Sequence, residues 1–320
     1  MQIDKRGKSD SMNEGLCGNT ITQEEAYSVA LHGSPMWIEW GRTTIQGACK
    51  KYGLNIDVVA LPEALTPASL GAAGHSTQII LLLEDPTRMI ARRGGSTAFS
   101  EALRAAVTTA TSAYELAWRH GATAIEVDTE GELRTRSLMR LIGAPDCDSV
   151  PDLIVKVTDA SPVILLQQGH STAVEGCLAP LIRGAHLKMP TSLRWPREVF
   201  LSGDAPGTPI PETFEIAGAA RVLTYGPYFP LPTGRWLVSP TLGFSHQVGT
   251  MPFLIEIVCE SIIHRAYFEA RRAGIFSMSF ELEFANLGVP LEIRLVSQDS
   301  ALEGMVALIE VSFESNTIKV

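Results

Sequence analysis

The segment LTYGPYFPLPTGRW, residues 223–236, packs four aromatic rings around three prolines and two glycines. Proline fixes φ and cannot donate a ladder hydrogen bond, so we expect an edge or a crossover here and not a central strand. The residues after Thr233 turn into an alternating strand that begins RWLVS. Trp236 lies in that strand and is expected in the core, whereas Tyr228 lies in the proline–glycine loop and is expected to face a ligand.

The chain around this segment alternates apolar and polar residues in short runs broken by Gly, Pro, Asn or Ser. In the run PLEIRLVS, for example, Leu291, Ile293 and Leu295 face one way, and Glu292 and Arg294 face the other. Many short strands of this kind indicate an antiparallel β-sandwich. We therefore predict an all-β, jelly-roll-like domain over residues 209–320.

The first half of the chain alternates strand-like and helix-like segments. The run QIILLLE at 78–84 is continuously apolar, as expected for a buried parallel strand. Residues 97–121 form the longest predicted helix, with apolar residues at three- and four-residue spacing and Gly121 as its end. Strand–helix alternation predicts an α/β domain with a mostly parallel sheet over residues 23–150.

Three local predictions concern the start of this domain. The run TQEEAYSVAL at 22–31 predicts a helix, because Thr22 followed by Glu25 is a capping box. The apolar, aromatic run PMWIEW at 35–40 predicts a short strand. The run GRTTIQGACKKYGL at 41–54 predicts a tight turn that leads into a helix.

Two further segments carry little pattern. Residues 1–22 are polar and are predicted to be a disordered leader. Residues 151–208 are rich in proline toward their end and are predicted to be a connector between the domains, with Trp195 and Phe200 as its apolar anchors. Proteins of this length usually contain two domains, which agrees with the division into an α/β domain and a β-sandwich.

Composition narrows the function classes. The 320 residues carry a net charge of −9, and neither half is basic, so binding to nucleic acid or anionic membrane through a broad positive surface is excluded. No run approaches the roughly 18 apolar residues of a membrane span, and the N-terminus has no apolar signal-peptide core. The five cysteines are scattered without a C-x-x-C pair. We expect a soluble, cytoplasmic protein.

The order of segments over about residues 35–145 resembles sulfotransferase-like P-loop proteins. In that family a Lys-x-Gly-Thr-Thr loop after the first strand holds phosphoadenosine phosphosulfate, and its counterpart here runs from Trp40 to Thr44. The two threonines match, but Trp40 stands at the lysine position and Arg42 at the glycine position. The resemblance implies donor-binding roles for Gly41, Arg42, Thr43 and Thr44.

The second motif of that family follows the apolar strand and is also altered. Glu84 stands where the family has an arginine, and Arg92 stands where it has a serine. A carboxylate in place of a cation repels a phosphate, although Arg88 and Arg92 remain to compensate. The resemblance therefore implies a divergent domain, with phosphoadenosine phosphosulfate as cofactor only if this donor site is intact.

A nucleophile-like motif lies in the middle of the chain. The run GHSTA at 169–173 follows an apolar run and is similar to the G-x-S-x-G elbow of hydrolases, with Ser171 as the exposed serine. The alternative is the end of a strand followed by a helix capped by Ser171. The sequence assigns no catalytic residue and contains no metal-binding motif.

The second half, over about residues 209–320, resembles the C-terminal β-sandwich found beside bacterial glycan-related transferase domains. The resemblance rests on YGPYFPLPTGRW and on the strands FELEF and LEIRL. It implies carbohydrate binding, for which Tyr225, Tyr228 and Arg235 are the candidate ligand-binding residues.

Together the two resemblances imply a protein of glycan or surface-polysaccharide metabolism with a degenerate sulfotransferase-like domain. Its expected partner is a glycan or a glycan-biosynthesis protein. Two alternatives stay open: an active sulfotransferase with an atypical donor site, and a non-catalytic scaffold whose sandwich binds another protein.

Overall fold

The computed structural model describes residues 27–75, 78–94, 98–144 and 166–315. It shows an α/β unit followed by an antiparallel β-sandwich. The helices are α1 (Pro35–Tyr52), α2 (Pro67–Gly74), α3 (Pro86–Arg93), α4 (Phe99–His120), α5 (Gly131–Leu141), α6 (Gln168–Ala173) and α7 (Ala179–Leu187), with a π-helical turn (Val174–Leu178) between the last two. The strands are β1 (Tyr27–Gly33), β2 (Ile56–Ala60), β3 (Gln78–Leu83), β4 (Thr123–Glu126), β5 (Ser192–Pro196), β6 (Leu201–Ser202), β7 (Phe214–Glu215), β8 (Val222–Tyr225), β9 (Pro227–Pro230), β10 (Gly234–Phe244), β11 (Pro252–Cys259), β12 (Ser261–Glu269), β13 (Gly274–Ser277), β14 (Phe280–Phe284), β15 (Pro290–Ser297) and β16 (Met305–Ser315).

Within the described residues the sheet of the α/β unit has four strands in the order β2–β1–β3–β4, all parallel. Strand β3 pairs on both sides and is buried over nearly its whole length, so the prediction of an interior strand at 78–83 is confirmed. One face of the sheet packs against α1 and α5. The other face packs against α3 and α4.

Helix α1 corrects two predictions. Pro35 to Tyr52 form one helix, so the strand predicted at 35–40 and the turn predicted after it are wrong. Its buried residues are Trp37, Ile38, Trp40, Gly41, Thr44, Ile45 and Ala48. They follow the three- and four-residue spacing of a helix face, which outweighs the strand preference of the aromatic run. Pro35 suits the first turn because it has no amide hydrogen to leave unpaired.

Strand β1 corrects the helix predicted at 22–31. It occupies Tyr27–Gly33, and its centre, 29–31, is fully buried between helices on both faces of the sheet. Strands buried on both faces show continuous apolar runs, but the run VAL in β1 is only three residues long, too short to distinguish a strand from a helix. Thr22 and Glu25, the predicted capping box, lie outside the described residues.

Helix α4 confirms the long helix predicted at 97–121, and it ends at Gly121 with φ 68°. The segment predicted as a connector, 151–208, is structured where it is described. Helix α7 packs along α4 so closely that a Cβ at Gly184 would come within 2.6 Å of the Tyr114 ring. Strands β5 and β6 then join the sandwich.

Each sheet of the sandwich has six strands within the described residues. The first sheet runs β13–β10–β16–β5, with β14 and β7 at its margins, and the second runs β12–β11–β15–β8–β6, with β9 beside β15. The ring centroids of Phe244 in the first sheet and Phe253 in the second are 5.2 Å apart, so the two sheets share a core. The predicted sandwich is confirmed, and its first strand precedes the predicted start at residue 209.

The segment quoted at the start, residues 223–236, docks the sandwich onto α4. The hydroxyl of Thr111 donates to the carbonyl of Pro230 at 3.3 Å. The carboxylate of Glu115 accepts from the amide of Thr233 at 3.2 Å and from its hydroxyl at 2.6 Å. The prolines therefore hold a crossover whose carbonyl groups are available to a helix of the other unit. No helix among the described residues is long and apolar enough to cross a membrane.

Candidate functional site

The residues expected to hold a phosphosulfate donor do not form a loop. They are Gly41, Arg42, Thr43 and Thr44, and all lie inside α1. The hydroxyl of Thr44 donates to the carbonyl of Trp40 at 2.8 Å. Anion binding uses the unpaired backbone N–H groups of a loop or of a helix start, which a helix interior lacks. The predicted phosphate loop is therefore wrong, and the likeness to sulfotransferase-like P-loop proteins is not supported.

The two arginines assigned to the same donor site face carboxylates. Arg88 pairs with Asp128 at 3.1 Å, and Arg92 pairs with Glu84. The guanidinium of Arg92 also lies 5.2 Å from the ring centroid of Trp37. Each of the two arginines is already neutralised by a neighbouring carboxylate. Arg88 and Arg92 therefore do not form the positive site that a 3′-phosphate requires.

Glu84 directly follows β3, one of the two strands between which the strand order of the parallel sheet reverses. Strands β1 and β3 are neighbours, and the chain leaves them toward opposite edges, which is where α/β sheets open a crevice for ligands. The hydroxyl of Ser34, directly after β1, donates to Glu84 at 3.4 Å. Burial raises the pKa of Glu84 above its ordinary value of 4.5, Asp128 acts in the same direction, and Arg92 opposes both.

A cavity of about 660 Å³ opens beside Glu84. The carboxyl ends of β3 and β4 form one wall, and the face of the π-helical turn and α7 forms the other. Local sequence patterns do not predict this cavity, because its two walls are more than forty residues apart in the chain. Among the described residues, no group of three or more His, Cys, Asp and Glu is placed to hold a metal ion.

The nucleophile-like motif does not form an elbow. Ser171 lies inside α6, which begins at Gln168, so the predicted cap at Ser171 is also wrong. Its hydroxyl is 3.4 Å from the carboxylate of Glu175 one turn later. His170 stacks on Phe99 with 3.7 Å between ring centroids. An elbow exposes the serine at a strained turn, and a residue in a regular helix is not so placed. Residues 163–165 of the apolar run before the motif lie outside the described residues.

The second sheet of the sandwich has an inner and an outer face. The inner face carries Phe253, Ile255 and Ile257, which are buried in the shared core. The residues between them point outward, because side chains alternate along a strand. Register places two rows side by side on this outer face: an apolar row of Tyr267, Leu254, Val296 and Val222, and a charged row of Arg265, Glu256 and Arg294.

The charged row is held by ion pairs. Glu256 accepts from Arg265 at 3.0 Å and lies 3.8 Å from Arg294. Arg294 in turn donates to Glu292 at 2.6 Å, two residues earlier on the same face of β15. The arginine side chains remain 51% and 33% exposed at Arg265 and Arg294, whereas the carboxylates lie beneath them. The surface therefore presents guanidinium groups fixed by buried acids.

Tyr267 is the most exposed ring on this face, at 66%. Beside it lies a depression of about 370 Å³, which it lines together with Pro252, Phe268, Glu269 and Arg271. Arg271 and Glu269 are 3.7 Å apart. An accessible ring thus adjoins one guanidinium and one carboxylate. Tyr267 is not among the predicted ligand-binding residues, although its position in the alternating run RAYFEAR indicates a side chain that points away from the core.

Tyr228, the predicted ligand-facing ring, lies at the other end of the face and is half-buried. Its hydroxyl donates to Glu292 at 2.9 Å, and the guanidinium of Arg104 lies 5.6 Å from its ring centroid. Burial raises its pKa to about 12, and the hydrogen bond to Glu292 contributes. Tyr225 meets Tyr228 edge-on at 6.3 Å. The structure therefore brings the two predicted tyrosines together.

Arg235 is not part of this cluster. It lies on β10 of the first sheet, where its guanidinium is 3.7 Å from Glu283 on the neighbouring strand β14. Its neighbour Trp236 is buried at 1% exposure and donates its ring N–H to the carbonyl of Pro232 at 3.0 Å. The prediction that Trp236 belongs to the core is confirmed.

Comparison with known proteins gives no family. No protein-family model and no curated protein matches the chain. Among solved structures, the C-terminal CBM6 of LamC from Zobellia galactanivorans is 11% identical, with a TM-score of 0.27, and covers 39% of this chain and 100% of that one. The CBM36-1 domain of a xylanase from the hindgut metagenome of Trinervitermes trinervoides is 10% identical, with a TM-score of 0.29, and covers 40% of this chain and 100% of that one.

A third likeness spans most of the chain. The Glycosylation Associate Protein (Gap123) complex from Streptococcus agalactiae matches over 90% of this chain at 10% identity and a TM-score of 0.26. This chain covers half the length of the chain it matches there. All three likenesses are weak, and the architecture described above rests on the pairing of this chain's own strands.

Proposed function

We propose that the protein binds a carbohydrate on the outer face of the second sandwich sheet, with Tyr267 as the ring that stacks on the sugar. The observation that carries the proposal is the 66% exposed ring of Tyr267 beside a polar depression. An aromatic face packs against the C–H groups of a sugar, and a few polar groups hold its hydroxyls. Arg271 and Glu269 supply one donor and one acceptor next to the ring.

The charged row extends this surface across the sheet toward Tyr228. Three interstrand spacings separate β12 from β9, which is about 14 Å at about 4.8 Å a strand. Each guanidinium has five N–H groups, more than its ion pairs use, so Arg265 and Arg294 have donors left for hydroxyls. We propose that a saccharide longer than one unit lies along these rows and approaches Tyr225 and Tyr228 at the far end.

The charge balance of the face favours a neutral glycan over a polyanion. Arg265, Arg294 and Arg271 each pair with a carboxylate, so the face has no net positive stripe. The chain as a whole carries −9. Nucleic acids require an excess of cations along the backbone path, which this face does not provide.

The test is Tyr267→Ala against a glycan array, followed by calorimetry on the best hits. Loss of a stacking ring should weaken binding by ~1–2 kcal/mol, which is about 5- to 30-fold in Kd. The melting temperature should stay nearly unchanged, because an exposed side chain contributes little to the free energy of unfolding.

Ile275→Ala is the matched control, since Ile275 is 69% exposed on the first sheet. It should leave glycan binding unchanged. Binding that survives Tyr267→Ala and is lost with Ile275→Ala would move the site to the other sheet. A chain that binds no glycan on the array contradicts the proposal and favours the scaffold alternative.

A further inference from the structure

The cavity at the carboxyl edge of the parallel sheet is separate from the sandwich face. Its volume of about 660 Å³ falls within the roughly 300–1,000 Å³ of small-molecule sites. It opens at the carboxyl ends of β3 and β4, the edge at which open α/β sheets bind their ligands. Glu84, one of the residues that line it, has a side chain that is only 1% exposed.

One wall of the cavity is a single helical face. Val174, Glu175, Ala179, Ile182, Arg183 and His186 line it, at three- and four-residue spacing along the π-helical turn and α7. π-helical turns are rare and occur frequently at functional sites, where they displace side chains from the positions of a regular helix. Here the turn contributes Val174 and Glu175 to the cavity.

The apolar and polar groups of the cavity suit a compact, hydroxylated molecule. Leu83, Val174 and Ile182 offer apolar contact. The carboxylates lining the cavity are Glu84, Asp85, Glu126, Asp128 and Glu175, and the basic side chains lining it are Arg183 and His186. The excess of acceptors suits ligand O–H and N–H donors and repels phosphate, sulfate and carboxylate groups.

Two of the carboxylates accept hydrogen bonds from uncharged groups. Asp85 accepts from the backbone amides of Thr87 and Arg88 at the start of α3, and Glu175 lies 3.4 Å from the hydroxyl of Ser171. Neither forms a salt bridge with a cation of the described residues. Glu84 and Asp128, by contrast, pair with Arg92 and Arg88.

We propose that this cavity binds a small hydroxylated amine of the amino-sugar class, with the ammonium group held between Asp85 and Glu175. The site is independent of the carbohydrate surface on the sandwich. The ligand's hydroxyls donate to the remaining acceptors, and its C–H groups pack on the apolar wall.

The experiment uses the full chain carrying Tyr267→Ala, so that the sandwich face does not contribute to sugar binding. Calorimetry compares glucosamine, glucose and glucose 6-phosphate at low ionic strength. Glucosamine should bind at least about tenfold tighter than glucose, the ratio that one charge-assisted hydrogen bond produces. Glucose 6-phosphate should bind more weakly than either.

Two variants test whether the ligand binds in this cavity. Asp85→Asn with Glu175→Gln should reduce glucosamine affinity about tenfold and leave glucose affinity unchanged, and asparagine still caps α3. Ala179→Leu fills the cavity from the helix side and should weaken both sugars. Asp299→Asn with Glu303→Gln removes the same two charges at exposed positions of the sandwich and should change nothing.

Four results overturn the proposal. The first is equal affinity for glucosamine and glucose, and the second is tight binding of glucose 6-phosphate. The third is no binding of any probe. Glucosamine binding that is insensitive to both Asp85→Asn with Glu175→Gln and Ala179→Leu also overturns it. Failure of these tests leaves the sandwich proposal standing, because that proposal is decided by Tyr267→Ala in the otherwise unaltered chain.

Discussion

Glu84 is a carboxylic acid withdrawn from water at the end of a parallel strand, with Arg92 and Ser34 as its partners. The ion pair with Arg92 lowers its pKa, while burial and the nearby charge of Asp128 raise it, and the net direction is upward. The carboxyl group is therefore easier to protonate in the folded chain than in the unfolded chain.

This shift predicts a pH dependence of stability. Between the ordinary pKa of 4.5 and the higher value of the folded state, the folded chain binds more protons, so the contribution of Glu84 to stability is present below 4.5 and is lost as the pH rises through this window. Glu84→Gln cannot titrate. Urea unfolding should show that the unaltered chain loses more stability than Glu84→Gln on going from about pH 4 to about pH 7.

Glu212→Gln serves as the control, since the Glu212 side chain is 88% exposed. Its stability profile should run parallel to that of the unaltered chain. A Glu84→Gln profile that is also parallel would mean that the carboxyl group does not titrate differently in the folded state.

The aromatic residues of the segment 223–236 differ in how much they contribute to the free energy of unfolding. Trp236 is a core side chain, so Trp236→Ala should lower the free energy of unfolding by ~3–5 kcal/mol. Tyr228→Phe removes only the hydroxyl bonded to Glu292 and should cost ~1 kcal/mol. Both are measured by urea denaturation. Equal losses in the two variants would contradict the assignment of one ring to the core and the other to the surface.

At the scale of elements, α4 is the part of the α/β unit that receives the sandwich. Its Glu115 is 3% exposed and accepts two hydrogen bonds from Thr233. Arg119, one turn later, pairs with Glu115 at 2.8 Å and donates to the carbonyl of Thr233 at 2.9 Å. A single carboxylate thus organises the contact between a helix and a crossover loop of different units.

Removing that carboxylate should loosen the contact. Glu115→Ala should lower the free energy of unfolding by ~2–4 kcal/mol, because it leaves the half-buried amide and hydroxyl of Thr233 without their charged acceptor. Glu115→Gln keeps one acceptor oxygen and should cost less than half as much. Chemical denaturation of both variants measures the difference. Indistinguishable stability of the alanine variant and the unaltered chain would show that the contact does not stabilise the fold.

At the scale of the whole molecule, carboxylates pair with both arginines that were predicted to bind the phosphate groups of a donor. Arg88 and Arg92 pair with carboxylates, and the net charge is −9. Residues 41–44 lie inside a helix, so their backbone N–H groups are not available as an anion cradle.

We therefore predict that phosphoadenosine phosphosulfate and its bisphosphate product bind weakly or not at all. Calorimetry at low ionic strength measures this, because screening is then weakest and any electrostatic attraction is largest. An affinity in the micromolar range would restore the alternative of an active sulfotransferase with an atypical donor site.

Elements with a strong local period could be predicted from the sequence. The apolar run of β3, the long amphipathic face of α4 and the alternation in β15 each specify their structure within a few neighbouring residues. The ends of α1 and α4 are also specified locally, because Gly53 and Gly121 follow these helices and adopt the positive φ that other residues avoid. The β-sandwich could be predicted because the sequence contains many short segments of alternating apolar and polar residues.

The tertiary structure decided what short apolar runs became and which distant residues met. PMWIEW is helical because its buried side chains face the parallel sheet, and β1 is a strand because neighbours pair with it on both sides. The cavity beside Glu84 and the row from Tyr267 to Arg294 join residues far apart in the chain. Local periodicity contains no information on such contacts, because strand order, register and helix docking depend on the burial of surfaces from the whole chain.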